Sequence, residues 1–176
     1  MNILDITAPD INNGNGIRVT LWVAGCTHKC KGCHNSWTWN FNQGKSYKEN
    51  IGEISKQLTD WLERDYVDGL TISGGDPLCQ DADGLWELAT LTAWVKKEEE
   101  KTVWIYTGYV YEDLIKEIED NPNSERSKAL RVILENTDVL VDGPYKEELR
   151  DTVHCPFRGS TNQRLIYLNN GKREDK

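Results

Sequence analysis

Apolar residues fall along this chain in two alternating rhythms. Residues 17–24 (IRVTLWVA), 68–73 (DGLTIS), 102–107 (TVWIYT) and 138–142 (DVLVD) are short β-branched and aromatic runs bounded by Gly, Asp or Pro, and they predict four buried strands. Residues 165–168 read as a fifth, shorter strand. Between the runs the period lengthens. Ile51, Ile54, Leu58, Trp61 and Leu62 recur at helical spacing, as do Leu85, Leu88, Leu91 or Thr92, and Val95. Two more helical patches, around Leu114, Ile115 and Ile118 and around Leu130, Ile133 and Leu134, are parted by Asn121-Pro122-Asn123-Ser124. Ser46, with Glu49 at the capping-box offset, predicts that the first helix starts at Ser46. Residues 1–16 read as a polar loop ending in Asn12-Asn13-Gly14-Asn15-Gly16. Residues 96–101 read as a solvated helix end, and 169–176 as a frayed tail.

Strands alternating with helices predict a parallel sheet with right-handed crossovers. Four or five such units are too few for the roughly 250 residues of a closed eight-fold barrel. The expected fold is therefore α/β, an incomplete, open-sided parallel (β/α) barrel. It should form a single domain over residues 1–176, with its core at about 14–168. Each strand leads into a punctuated segment: the Cys-rich stretch 26–33, Gly74-Gly75-Asp76-Pro77, Thr107-Gly108-Tyr109 and Asp142-Gly143-Pro144-Tyr145. These belong on the edge at the strands' C-terminal ends, where α/β barrels carry their reactive groups.

Composition narrows the chemistry. A formal net charge of −8 over 176 residues argues against a nucleic-acid surface, which needs a positive field. No leader pattern opens the chain, and no apolar run approaches the ~20 residues of a membrane span. Five cysteines, an odd number, read as free thiols in a reducing cytoplasm. Cys79 and Cys155 read as plain buried or half-buried residues.

The other three are Cys26, Cys30 and Cys33, in C-x3-C-x2-C spacing just after the first strand. Soft thiolates at this spacing suit zinc or an iron–sulfur cluster, and three protein ligands leave a position open for a reactant. A Cys3His zinc knuckle, with His34 or His28 as fourth ligand, fits the same spacing. Trp37, Trp39 and Phe41 follow the thiols and fit either a shield around a metal centre or core packing. The pair Gly74-Gly75, with Asp76 beside it, removes side chains so that backbone can approach a ligand.

Taken together, these segments resemble the activating proteins of anaerobic ribonucleoside-triphosphate reductase, within the radical S-adenosylmethionine (SAM) superfamily. GNGIR at 14–18 is similar to the family's Gly-Pro-Gly-x-Arg element, and CTHKCKGCHN at 26–35 to its cluster loop. SGGDP at 73–77 is similar to the SAM-binding glycine motif. WIYTGY at 104–109 and VDGPY at 141–145 resemble the family's third- and fourth-strand motifs, and FRGSTNQR at 157–164 its C-terminal segment. Two positions depart from the pattern. Asn15 replaces a usual Pro, and Gly32 stands where many radical SAM enzymes place an aromatic residue.

The resemblance implies a radical SAM type of barrel and a function. Cys26, Cys30 and Cys33 would hold a 4Fe–4S cluster. Gly74, Gly75 and Asp76 would receive the SAM ammonium, with Thr107 and the backbone of Gly32 and His34 as further SAM contacts. Reductive cleavage of SAM would generate a 5′-deoxyadenosyl radical, which makes a glycyl radical on the reductase large subunit. A flavodoxin-type protein would donate the electron. The competing readings are an activator of another glycyl-radical enzyme, of the pyruvate formate-lyase type, and a zinc-binding interaction module. His28 and His154 read as structural or surface residues.

Overall fold

The computed structural model describes residues 1–151 and 153–174. Eight strands and four helices follow one another in the order β1 (Asn2–Asp10), β2 (Arg18–Val23), β3 (Lys45–Ser46), α1 (Ile51–Leu62), β4 (Gly69–Gly74), α2 (Ala82–Lys97), β5 (Thr102–Tyr106), α3 (Tyr111–Asp120), α4 (Glu125–Glu135), β6 (Val139–Asp142), β7 (Arg164–Asn169) and β8 (Lys172–Arg173). They build one mixed sheet in the order β3-β1-β2-β4-β5-β6-β7-β8. The four predicted strands β2, β4, β5 and β6 are neighbours and parallel. Antiparallel strands flank them on both sides, so the expected all-parallel sheet is corrected to a mixed one. The sheet does not close.

Alternating residues of the central strands enter two separate cores, as a period of two requires. Val103, Ile105 and Leu140 join Leu21, Leu70 and Ile72 in the large core, which also takes Leu58, Leu88, Leu114 and Leu130 from the helices. Trp104, Val139 and Val141 point the other way and pack with Tyr106, Phe157 and Leu165. Helices thus cover one face, and loops cover the other. Strands buried on both faces read as nearly continuous apolar runs, which is why these four were visible in the sequence. No helix among the described residues is long and apolar enough to cross a membrane.

Three expectations need correction. Residues 2–10 form β1 rather than a loop; it pairs antiparallel with β2, Ile6 opposite Leu21, and is broken by two irregularities. One face of β1 meets solvent, so its polar positions disguise it. Ser46 does not start a helix. It pairs with Asn2 in β3, its hydroxyl accepts only the Glu49 N–H at 3.3 Å, and α1 begins after Asn50. The tail is not frayed over its described part: Asn170-Gly171, both at positive φ, turn β7 back into β8. The last two residues of the expected frayed tail lie outside the described residues.

The Asn-Gly-rich turn between β1 and β2 is held by carboxylates. Ile17 N–H donates to Asp68 Oδ2 at 2.7 Å, and a Cβ at Gly16 (φ +78°) would strike the same oxygen. Asn15 therefore sits in a turn fixed by its neighbours. Asp10 accepts from Asn12 N–H at 2.7 Å, Asn13 Nδ2 at 2.6 Å and Thr20 Oγ1 at 2.7 Å. Burial pushes the Asp10 carboxyl up, but these hydrogen bonds outweigh it and hold the group below its ordinary 3.8. A depressed carboxylate adds stability above its unfolded value and loses it as pH falls through the folded one. Lowering the pH from 5 to 3 should therefore reduce the urea midpoint more for the wild type than for Asp10→Asn. Parallel profiles would refute this.

Candidate cluster site

The site is assembled at the C-terminal ends of the parallel strands. Leaving β2, the chain turns through Gly25 (φ +100°), where a Cβ would stand 2.1 Å from the Phe41 ring. Only glycine lets that ring close over the turn. The cysteine loop then folds back: Cys33 N–H donates to Cys30 O, while Gly25 N–H and Cys26 N–H donate to Thr38 O and Trp39 O. Cys26 is buried at the base of the loop, and Cys30 and Cys33 are half-buried above it. Trp37 and Phe41 are 56% and 39% exposed, so neither is core. Gly32 (φ +71°) lies under Glu147, which also pairs with Lys31 at 3.0 Å. The side chain that other enzymes carry at position 32 would meet that carboxylate.

The glycine turn after β4 is joined directly to the cysteine loop. Gly75 N–H donates to Val23 O at 2.8 Å and Asp76 N–H to Gly25 O at 2.7 Å. A Cβ at Gly75 would lie 2.3 Å from Gly25 O. Bare backbone at this position is required by a close approach of two chain segments.

Asp76 is where three strand ends meet. Its buried carboxylate accepts Leu78 N–H at 2.8 Å, Gly108 N–H at 2.7 Å and the Thr107 hydroxyl at 3.0 Å. His28 Nε2, from the cysteine loop, lies 2.9 Å from Oδ2 but off the line of a good hydrogen bond. Donors on every side fit an ionised acceptor. The Asp76 carboxylate holds His28 up at about 10, while burial pushes Asp76 itself upward. The Tyr109 ring packs edge-on to His28, with centroids 4.7 Å apart. Coupling between the two thiols raises Cys26, which burial pushes up further, and lowers Cys79.

The fourth strand end is clasped by the C-terminal segment. Asn162 Nδ2 donates to Pro144 O at 2.8 Å and Gln163 Nε2 to Gly143 O at 3.1 Å. Gln163 Oε1 accepts Gly159 N–H at 2.8 Å. Arg164 reaches Asp142 and Glu112 behind this clasp.

Between these ends lies a cavity of about 190 Å³, lined by Cys26, Cys30, Cys33, His34, Gly74, Gly75, Asp76 and Thr107, with Gly143 and Gln163 opposite. Eight of the residues expected from sequence are thus brought together. The ninth, Gly32, borders an adjoining cavity of about 610 Å³ that shares His34, Asn35, Tyr106 and Tyr145. His28, Cys79 and Gln163 also belong to the site region. The sequence offered only weak signals for them: a histidine inside the cysteine spacing, a thiol three residues past Asp76, and a polar run near the end.

The donor set fits an iron–sulfur cluster. Three cysteines line one cavity together with Gly74 and Gly75, so soft sulfur ligands and bare backbone share its walls. A single tetrahedral zinc ion, with Zn–S near 2.3 Å, would need its sulfurs about 3.8 Å apart. Among the described residues, the only metal-binding group with ligand atoms all within 4.8 Å is His28, Asp76 and Cys79. The three loop thiols are not drawn that close.

A family model described as a 4Fe-4S single cluster domain matches residues 12–166. Three curated relatives carry the name anaerobic ribonucleoside-triphosphate reductase-activating protein. That of Enterobacteria phage T4 is 40% identical over 94% of this chain and 93% of its own length. The Pasteurella multocida protein is 36% identical over 95% and 97%. For Escherichia coli K12 the figures are 33%, 96% and 99%. With a cluster-type cysteine loop in place and likeness running nearly end to end, the chain belongs to the family of anaerobic ribonucleoside-triphosphate reductase-activating proteins.

Proposed function

We propose that this protein is a radical SAM activase, which generates a glycyl radical on anaerobic ribonucleoside-triphosphate reductase. The observation that carries the reading is the cavity in which three cysteines face Gly74, Gly75 and Thr107. Cys26, Cys30 and Cys33 hold the 4Fe–4S cluster as thiolates. A cluster held there would supply the low-potential electron for reductive cleavage of SAM, and with it the radical chemistry that makes a glycyl radical on the reductase.

The chain's own residues bind, orient and exclude. Backbone carbonyls at Gly74 and Gly75 receive the SAM ammonium, with the Asp76 charge beneath them. Asp76 also fixes the Thr107 hydroxyl and Gly108 N–H, so the far wall is set before SAM arrives. The backbone of Gly32 and His34 offers further SAM contacts. Tyr145, Gly143 and Gln163 close the opposite side against water. The open sheet is compatible with a partial (β/α) barrel of the radical SAM type, whose unclosed side admits a loop of a partner protein. Activity belongs in the cytoplasm, with a low-potential donor such as a flavodoxin.

The test is to incubate anaerobically reconstituted protein with SAM, a reductant and the host's anaerobic reductase. A glycyl EPR doublet on the reductase, with methionine and 5′-deoxyadenosine formed, is the expected result. SAM cleavage without the doublet would refute the assigned target. Bound zinc with no sulfide would refute the enzyme reading altogether.

A further inference from the structure

Beside the three-thiol loop stands a second group of metal-binding side chains. His28, Asp76 and Cys79 place one ligand atom each within 4.8 Å of the others. Two of the three are fixed by one short turn: Asp76 caps the 3-10 turn Pro77–Cys79 through Leu78 N–H, so carboxylate and thiol emerge three residues apart. The third comes from the cysteine loop, its ring plane set by the edge contact with Tyr109. His28 Nε2 is buried and faces Asp76 Oδ2 at 2.9 Å without an aligned hydrogen bond. Cys79 Sγ lies 3.2 Å from the Thr27 hydroxyl and 3.9 Å from the Tyr109 hydroxyl, and it interacts with His28.

We propose that His28, Asp76 and Cys79 form a second metal site, which takes one divalent ion of the zinc class. A mixed imidazole, thiolate and carboxylate set selects zinc, cobalt or iron over magnesium or calcium, which prefer oxygen alone. Zinc bond lengths of about 2.0–2.3 Å put tetrahedral ligands roughly 3.3–3.8 Å apart. The His28–Asp76 pair at 2.9 Å must therefore open by a few tenths of an ångström, and His28 gives up its proton to the ion. Asp76 keeps its bonds from Leu78, Thr107 and Gly108.

Three protein ligands leave a fourth position open to water. The metal affinity of the group does not depend on what the cluster later does with SAM.

Cobalt(II) is the spectroscopic probe. Full-length Cys30→Ser/Cys33→Ser, which retains Cys26 and cannot form the three-thiol loop site, is titrated anaerobically. One equivalent should bind, with tetrahedral d–d bands and thiolate-to-cobalt charge transfer that zinc displaces. Adding Cys79→Ser, or separately His28→Gln, should abolish stoichiometric binding while circular dichroism stays unchanged. Should one variant unfold, the other decides. Lack of a tetrahedral cobalt spectrum in the parent, or one unchanged in a folded variant, would overturn the site.

Discussion

Cys30→Ala, reconstituted anaerobically, is expected to lose its iron and to show SAM cleavage no higher than the uncatalysed background. The wild type, by contrast, should be a brown, oxygen-sensitive protein with the iron of one cubane cluster. The argument rests on position. Cys30 is half-buried on the loop and belongs to neither apolar core. Substitutions at such sites change stability by only about 0.5 kcal/mol, so the loss must be one of ligation and not of folding. Ala at Cys26 or Cys33 should give the same outcome, and Cys79→Ala should keep its iron. Iron analysis and product chromatography decide the matter. Cleavage retained in Cys30→Ala would sink the assignment of all three ligands.

Asp76→Ala should be the most damaging change outside the cysteines. It strips the acceptor from Leu78 N–H, Gly108 N–H and the Thr107 hydroxyl, and leaves His28 without its counter-charge. Removing one partner of a buried ion pair costs about 3–5 kcal/mol. For a chain of this length each kcal/mol lowers the melting temperature by about 2–4 °C. A fall on the order of 10 °C is therefore expected. Asp76→Asn keeps the shape and some acceptor capacity and should fall by less. Calorimetry of both variants tests this, and a melting temperature within about 2 °C of wild type for Asp76→Ala would show that the three strand ends do not depend on the carboxylate. Catalysis should fail even in the folded fraction, because the cysteine loop and the Thr107 wall lose their common tie.

How much of this could be read from the residues depended on periodicity. The strands β2, β4, β5 and β6 and the helices α2, α3 and α4 announced themselves, because burial on one or both faces imposes a repeating apolar pattern. β1 is half solvated and interrupted, so Asp5, Thr7 and Asp10 masked it. The β7–β8 hairpin carried a local signal, Asn170-Gly171, that was outweighed by the polar residues around it. At the site, spacing picked out the three cysteines that the loop brings to one cavity, since residues on one loop are a matter of sequence distance. The role of Asp76 as a junction was invisible. Its partners Gly108 and His28 come from other strand ends, and no periodic rule links loops that meet across a sheet. For the same reason Cys79 read as an ordinary thiol, although it lies against Thr27 and close to His28 and Asp76.

The clasp of Asn162 and Gln163 over Gly143 and Pro144 has a consequence in time. Chains are made from the N-terminus, so the three cysteines leave the ribosome well before Asn162 and Gln163, which close their cavity. At about 5–20 residues per second the interval is on the order of ten seconds. Throughout it the thiols are present without their enclosure. The cavity thus closes only once that segment is made, and until then the nascent protein depends on its surroundings to keep those sulfurs reduced.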